Sequence, residues 1–286
     1  MARNMHKFEE LTPWEFDQEK EHASIIYIAA GPMEYHEECN ALGIDPCKGY
    51  AWCLYAAEKA GGIVFPLVPF APDGGRPFQD QATLRERWNT CKFGEYTRTP
   101  LIYPSVYSSR EVCVPLYREL LETFAVEHKF KLCVFFGSHA PAGDIIKMIL
   151  EEEAAANGIK LVIKPKGAVT GDYKGMRVLA TGSLDFNRDI VRKIYDENGI
   201  KRISHGGLWE SAINKAVNEE YFQEKYLDET IYPQHYGVLK DEEAEGIVRP
   251  VKSEYKKMTD EIAKTLFETT AERFTKAVID EYSKVK

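Results

Sequence analysis

Short apolar runs alternate with longer amphipathic stretches along the chain, and this alternation predicts strands and helices in turn. The predicted strands are 24–30, 63–70, 131–136, 159–163 and 174–180. The predicted helices are 13–21, 46–60, 109–128, 145–157, 185–198, a short one that ends at 217, and 253–282. A strand, a helix and a second strand in succession form a βαβ unit, which requires a parallel sheet. The pattern therefore predicts an α/β fold with a mainly parallel sheet flanked by helices.

The first predicted strand leads directly into polar residues that suit a metal site. Its apolar run ends at Gly31 and Pro32, and Glu34, His36 and, nine residues after the histidine, Asp45 follow. Glu34 and His36 are two residues apart, so in extended chain their side chains point to one side. Two carboxylates and an imidazole that converge beyond a strand suit zinc or manganese. The alternative is a solvated loop, since Glu-x-His is a short and common pattern.

Two later turns place further histidines at the ends of predicted elements. His139 follows the strand 131–136, and His205 and Glu210 precede the helix that ends at 217. In open α/β sheets, ligands bind outside the carboxyl ends of the strands. The sequence therefore predicts that these turns converge with the first one. The remaining histidines lie in polar contexts and are expected to be solvated: His6, His22, His128 and His235.

Together the three turns resemble the motifs of the creatininase family of metal-dependent hydrolases. The first family motif is an apolar strand, a glycine turn, Glu-x-His and then Asp nine residues after the histidine. Here the stretch GPMEYHEECNALGID carries Glu34, His36 and Asp45. The second motif, a strand that ends in a turn like Gly-x-His-Gly-Gly-Asn, corresponds to FFGSHAPAGD with His139. The third, His-Ala/Gly-Gly-x-x-Glu-Thr/Ser, corresponds to HGGLWES, and the resemblance spans 24–217 as that of a divergent member.

This resemblance implies a three-layer α/β sandwich with a hydrolytic metal centre. It implies that one divalent ion takes Glu34, Asp45 and His139, and that a second takes His36 with Asp45 as a bridge and Glu210 as a further ligand. Zinc or manganese is the expected metal, with iron as the alternative, at one or two ions per chain. The ion would activate water by lowering its pKa from roughly 15.7 to about 7.

The resemblance also implies catalytic residues, and the departures from it affect the metal count. His205 is expected to carry a proton to the leaving group, because an imidazole titrates near neutral pH, and Glu210 is the second expected catalytic residue. Family members usually have Gly-Pro-His after Glu-x-His, where this chain has Glu-Glu-Cys at 37–39. In creatininase itself a glutamate stands two residues after the second histidine, where this chain has Pro141. A proline side chain binds no metal, so a second ion would depend on Glu210.

The resemblance implies only the class of bond that is cleaved. Relatives open cyclic amides or remove formyl groups from amines, so we expect hydrolysis of a C–N bond in a small polar amide, cyclic or formyl. One alternative is a C–C hydrolase that opens a cyclic diketone derived from inositol, because the same water chemistry serves both bonds. Another is a non-catalytic metal-binding or interaction module of the same fold, which Ala-Pro-Ala at 140–142 favours.

Length, charge and cysteine content narrow the remaining choices. The 286 residues predict one domain, 1–286, with an insertion or lid at 71–99, a polar segment too long for an ordinary connection. The net charge of −8 argues against nucleic acid as a partner, and no apolar run approaches the length of a membrane span. Six cysteines without a C-x-x-C pair, and an N-terminus without a signal peptide, predict a cytoplasmic protein. The resemblance implies a homo-oligomer, often a hexamer, that acts on a small molecule.

Overall fold

The computed structural model describes residues 4–72, 105–161, 167–200, 205–226 and 252–286. The segment predicted as an insertion or lid, 71–99, lies outside these residues from position 73 onward. Within the described ranges, no helix is both long enough and apolar enough to cross a membrane.

Strands and helices alternate along the chain, as the apolar pattern predicts. The strands are β1 (Ile25–Ala30), β2 (Ile63–Val64), β3 (Leu132–Gly137), β4 (Val169–Tyr173) and β5 (Met176–Thr181). The helices are α1 (Pro13–His22), α2 (Ile44–Ala60), α3 (Arg110–Glu122), α4 (Ala140–Ala156), α5 (Leu184–Glu197), α6 (Leu208–Val217), α7 (Lys252–Tyr255) and α8 (Asp260–Tyr282). A π turn continues α3 over Thr123–Glu127, and 3-10 turns occupy Phe8–Glu10, Glu219–Tyr221 and Glu224–Tyr226.

The five described strands form one sheet in the order β2-β1-β3-β5-β4. The pairs β1–β2, β1–β3 and β3–β5 are parallel, and β4 is antiparallel to β5. Every residue of β1 and β3 is buried, which is expected of central parallel strands covered on both faces. The two strands pair from Ile25 with Leu132 to Ala30 with Gly137, so their carboxyl ends lie side by side. The prediction of a mainly parallel sheet is confirmed.

Helices cover both faces of the sheet and make three layers. Successive side chains of a strand point to opposite faces. Tyr27 therefore packs in one cluster with Trp52 of α2 and with the inner faces of α5, α6 and α8. Ile28 packs in a second cluster with Tyr117 of α3 and Ile146 of α4. The three-layer α/β sandwich that the resemblance implied is confirmed.

The structure differs from the predicted elements in several places. β4 is not among the predicted strands, and the predicted helix 253–282 is two helices, α7 and α8. Only Ile63 and Val64 pair as β2, because Pro66 and Pro69 have no N–H to donate to a sheet. Helix α4 begins at Ala140 and not at 145, since proline suits the first turn of a helix and residue 141 is a proline. Residues 159–161 form no strand, and 162–166 lie outside the described residues.

Candidate metal centre

Five predicted site residues meet at the carboxyl edge of the sheet, because the elements that carry them end or begin there. Glu34 and His36 follow β1, and His139 follows β3 and directly precedes α4. Asp45 lies in the first turn of α2, and Glu210 lies in the first turn of α6. All five are buried, with relative exposures between 1% and 8%. The structure therefore brings the predicted residues together, and their role as metal ligands stays a prediction.

The first possible ligand group consists of Glu34, Asp45 and His139, whose ligand atoms all lie within 4.8 Å of one another. His139 Nδ1 lies 3.1 Å from Glu34 Oε2 and 3.1 Å from Asp45 Oδ2. The geometry gives Nδ1 a hydrogen bond to the aspartate alone. In the part of the chain that the structure describes, Glu34 Oε2 and His139 Nε2 are buried without a hydrogen-bond partner. Buried polar atoms normally have partners, and two carboxylates with one imidazole are a donor set that zinc or manganese prefers, so the group fits a divalent ion.

The second possible ligand group consists of His36, Asp45 and Glu210, and it shares the aspartate with the first. His36 Nδ1 lies 3.0 Å from the carbonyl oxygen of Glu34, and a donor at that nitrogen leaves a lone pair on Nε2. Nε2 in turn lies 3.6 Å from Asp45 Oδ1 and 3.8 Å from Glu210 Oε1. A backbone partner on one imidazole nitrogen is the usual arrangement around a metal-binding histidine. Three acceptor atoms that face one point call for a cation.

Asp45 divides its two carboxylate oxygens between the two groups. Oδ2 faces His139, and Oδ1 faces His36 and the buried amino group of Lys48. Lys48 Nζ donates to Asp45 Oδ1 at 2.7 Å and to Glu210 Oε1 at 3.0 Å. Its side chain is 1% exposed. Sequence reasoning missed this lysine, because the predicted helix 46–60 left Asp45 in the loop before it. In the structure α2 begins at Ile44, so Asp45 and Lys48 lie three residues apart on one helix face.

Tyr107 is a second residue that sequence reasoning missed. Its hydroxyl donates to Glu34 Oε1 at 2.8 Å, and its ring centroid lies 6.3 Å from that of His139. The hydrogen bond holds the glutamate in place and leaves its other oxygen, Oε2, facing the histidine. The residue precedes α3 in irregular chain, where no periodicity gives a signal.

His205 is the exposed member of the cluster. Its side chain is 46% exposed, and its Nε2 lies 3.5 Å from Glu34 Oε1. The ring stacks on that of His36 with the centroids 4.1 Å apart. The other site residues are buried, so the imidazole of His205 lies between them and solvent.

The turn at Gly206 fixes α6 against the loop that follows β1. The backbone N–H of Gly206 donates to Glu210 Oε2 at 2.7 Å, and its carbonyl oxygen accepts from the hydroxyl of Tyr255 at 2.8 Å. Asn40 donates to the carbonyl oxygen of His36 at 2.7 Å and to Ser211 Oγ at 2.8 Å. These bonds tie the first and third sequence motifs together, although they lie far apart in the chain.

Charges in the first group stabilise one another. Burial alone would raise the pKa of Glu34, but His139 and His205 beside it hold the pKa well below its usual range. Burial would likewise lower the pKa of His139, but Glu34 and Asp45 raise it well above 6.5. The carboxylates around His139 therefore strongly favour a positive charge beside them. A divalent cation needs such surroundings.

The second group has a neutral imidazole beside an ionised carboxylate. Burial and then the neighbouring His205 lower the pKa of His36 below 6.5. Burial would raise the pKa of Glu210, but Lys48, His36 and His205 lower it to about 2. For His205, burial lowers the pKa, while Glu34, Glu210 and Asp45 raise it to about 9. Water screens part of this last effect, since nearly half of the ring is exposed.

Solved structures resemble this chain over almost its full length, whereas no protein-family model and no curated protein matches it. A creatinine amidohydrolase (creatininase) superposes with a TM-score of 0.63 at 15% identity, over 97% of this chain and 98% of that chain. A structure named "Creatininase Mn" gives 0.64 at 15% identity, over 97% and 98%. A creatininase variant of the zinc–zinc type gives 0.64 at 14% identity, over 98% and 99%. The chain therefore has the creatininase fold, as the resemblance of its motifs predicted.

Proposed function

We propose that the chain is a divergent member of the creatininase family and a metal-dependent hydrolase. The bond that it cleaves is a C–N bond in a small polar amide, cyclic or formyl. The observation that carries the proposal is the pair of buried ligand groups that share Asp45 at the carboxyl edge of a creatininase fold. Creatininases of this fold are described in manganese and zinc–zinc forms, which supports zinc or manganese as the metal here.

Glu34, Asp45 and His139 are the residues that would hold the ion. A divalent metal at this position supplies a water of lowered pKa, about 7, and polarises a carbonyl oxygen. The protein keeps these three side chains buried, and Tyr107 fixes the orientation of Glu34 through its hydroxyl. Burial also excludes bulk water, which strengthens every electrostatic interaction in the site.

His205 is the residue that would move the proton. Its exposed imidazole reaches a substrate that approaches from solvent, and its Nε2 lies 3.5 Å from Glu34 Oε1, which stabilises the protonated ring. A protonated imidazole at this position donates to the leaving nitrogen when the C–N bond breaks. Glu210, predicted as the second catalytic residue, is bound through both oxygens to Lys48 and to the Gly206 N–H. We therefore assign Glu210 to positioning and to charge, and His205 to proton transfer.

The test begins with the metal and then turns to the reaction. The purified protein, loaded with zinc or manganese and freed of excess ion, should retain bound metal. His139→Ala should lose that metal and all turnover, because it removes one of three ligands. His22→Ala is the matched control, since His22 is exposed on α1. A wild-type protein that retains no metal after loading would overturn the proposal.

A substrate panel separates C–N cleavage from the alternatives. Cyclic amides, formamides and cyclic diketones derived from inositol are incubated with the metal-loaded protein, and release of ammonia, amine, formate or a carboxylate is measured. We expect an amine, ammonia, or a newly opened amide. Turnover of the diketone alone would establish the C–C hydrolase. Bound metal without turnover of any substrate would favour a non-catalytic module, for which Ala-Pro-Ala at 140–142 is the supporting feature.

In this proposal, His205→Gln is the variant that separates chemistry from metal binding. Glutamine retains hydrogen-bonding capacity but carries no transferable proton. The variant should keep wild-type metal content, because the three proposed ligands are unchanged, and should lose about 10²–10⁴-fold in kcat. A loss of metal in His205→Gln would place this residue among the ligands and not in proton transfer.

A further inference from the structure

Lys48 places its positive charge in the second ligand group, whose three members are all buried. A third possible group, Glu34, His36 and His205, shares Glu34 with the first group and includes the half-exposed His205. The amino group of Lys48 binds Asp45 Oδ1 at 2.7 Å and Glu210 Oε1 at 3.0 Å. These are the same two oxygen atoms that face His36 Nε2. Two of the three acceptors of the second ligand group are thus already held by an ammonium group.

The surroundings of Lys48 show that the lysine is not a surface residue that happens to point inward. Its side chain is 1% exposed, and lysine is almost never fully buried unless it is paired. The ring of Trp209 lies 5.4 Å from Nζ and covers a further side of the ammonium group, an arrangement that favours a cation. The site is therefore built around a fixed positive charge.

A metal ion in the second group would have to displace the ammonium of Lys48 from two of its acceptor atoms. An ion bound to Asp45 Oδ1 at about 2.1 Å would lie within about 5 Å of Nζ, which is 2.7 Å from that oxygen. Two cations would then compete for one carboxylate oxygen in a water-poor interior, where charges are weakly screened.

The charge balance of the buried site points to the same result. Among the buried side chains, which do not include the half-exposed His205, Glu34, Asp45 and Glu210 contribute three negative charges. The ammonium of Lys48 and one divalent ion contribute three positive charges. Two divalent ions together with Lys48 would leave an excess of two positive charges among buried groups. Buried charges are tolerated when they are paired, so the set of residues in this chain balances with a single ion.

We propose that the ammonium group of Lys48 takes the place of a second metal ion, and that the chain binds one divalent ion at Glu34, Asp45 and His139. The inference rests on the proposed metal-dependent function and specifies how many ions serve it. In this arrangement Lys48 also positions Asp45, because it holds Oδ1 and leaves Oδ2 for the ion.

Metal counting on matched lysine variants tests the proposal. Wild type, Lys48→Met and Lys59→Met are saturated with zinc or manganese and freed of excess ion. The number of bound metal ions per chain is then measured by elemental mass spectrometry. Lys59 is the control because it is an exposed lysine of the same helix, α2. Wild type and Lys59→Met should hold one ion per chain, and Lys48→Met should hold two, because the second group is then free and short of positive charge.

A lysine that only braced α2 against α6 would give a different result. Its removal would lower stability and metal content and would not add an ion. If Lys48→Met does not fold, as circular dichroism will show, Lys48→Gln replaces it. Wild type gives an independent answer by electron paramagnetic resonance of the manganese-loaded protein, which should show an isolated ion.

The outcomes separate this inference from the proposed function. Two ions in wild type, or the spectrum of an exchange-coupled manganese pair, would overturn the role of Lys48 and leave the hydrolase proposal intact. A folded Lys48→Met that still holds one ion would also overturn it. Absence of any bound ion from wild type would instead refute the proposed function itself.

Discussion

Gly206 holds the turn before α6 against the loop that follows β1, and its replacement by alanine should damage both stability and metal binding. Its φ of 66° lies in the left-handed region. An added Cβ would lie 2.8 Å from the carbonyl carbon of His36 and 2.9 Å from its carbonyl oxygen. Both atoms belong to the backbone, so no side-chain rotation relieves the overlap. The backbone of His36 must move, and Glu34 moves with it through the bond from Nδ1 to its carbonyl oxygen.

The size of the effect has two parts. A residue other than glycine in the left-handed region costs roughly 1–2 kcal/mol. Overpacking against groups that cannot rotate away costs about 1–3 kcal/mol more. The expected loss of about 2–5 kcal/mol is a large share of the roughly 5–15 kcal/mol that stabilise a typical protein. Gly199 isolates the first part, because its φ is 65° and an added Cβ meets no atom of the described residues within 4 Å.

Urea unfolding of protein stripped of metal, followed by a calorimetric titration with zinc or manganese, measures both consequences. Gly199→Ala should lose only the backbone part of the free energy of unfolding and should bind metal as wild type does. Gly206→Ala should lose more and bind metal more weakly. Equal losses of stability in the two variants, or wild-type metal affinity in Gly206→Ala, would refute this reasoning.

Three further predictions concern Tyr107, His139 and His6. Tyr107→Phe removes the hydroxyl that donates to Glu34 Oε1 at 2.8 Å. Metal affinity should fall about 10- to 100-fold. The free energy of unfolding in urea should change by no more than roughly 1.5 kcal/mol. An unchanged metal affinity would contradict the proposed role of the hydroxyl. Although burial lowers the pKa of His139, Glu34 raises it well above 6.5, so metal binding at pH 7 should release a proton and metal affinity should fall as pH falls. Calorimetry in two buffers of different ionisation enthalpy counts that proton, and equal heats in both would show that none is released. The hydrogen bond to Glu19 raises the pKa of His6 above 6.5, so the stability that this pair contributes is complete below pH 6.5 and is lost as pH rises through the raised pKa. Between about pH 6 and about pH 9 the free energy of unfolding of wild type should fall relative to that of His6→Gln, and parallel curves would argue against the contribution.

The sheet could be predicted from the sequence where burial on both faces left a continuous apolar run, as in β1 and β3. It could not be predicted where a segment forms a strand only because it pairs with a neighbouring strand. The sequence VTGDY of β4 contains glycine and aspartate, which disfavour strands, yet it pairs antiparallel with β5 across a tight turn at Lys174 and Gly175. Both turn residues have positive φ, 47° and 87°. A two-residue connection of this kind is itself a hairpin signal.

The candidate site could likewise be predicted only in part. Residues that follow a strand were predictable, and contacts between residues far apart in the sequence were not. Glu34, His36 and His139 each follow a strand, so their meeting at one edge of the sheet follows from the topology alone. The contacts of Lys48 with Glu210 and of Tyr107 with Glu34 join residues 162 and 73 positions apart. No local pattern contains such contacts, because they depend on how α2, α6 and the chain before α3 pack.

The charge balance of the site depends on three residues: Pro141, Glu210 and Lys48. At Pro141 the resemblance places a glutamate in creatininase, and the proline instead lies in the first turn of α4 and contributes no carboxylate. Glu210 provides a third carboxylate from α6, where Gly206 and Lys48 hold both its oxygens. That carboxylate alone would leave one negative charge unbalanced beside a single divalent ion, and an unpaired buried charge is strongly destabilising. In the proposed one-ion site Lys48 would supply the missing positive charge, and the departure from the motif would be balanced by a charge and not by another ligand. For this reason the loss of the motif glutamate argues against a second ion and does not argue against hydrolysis with one.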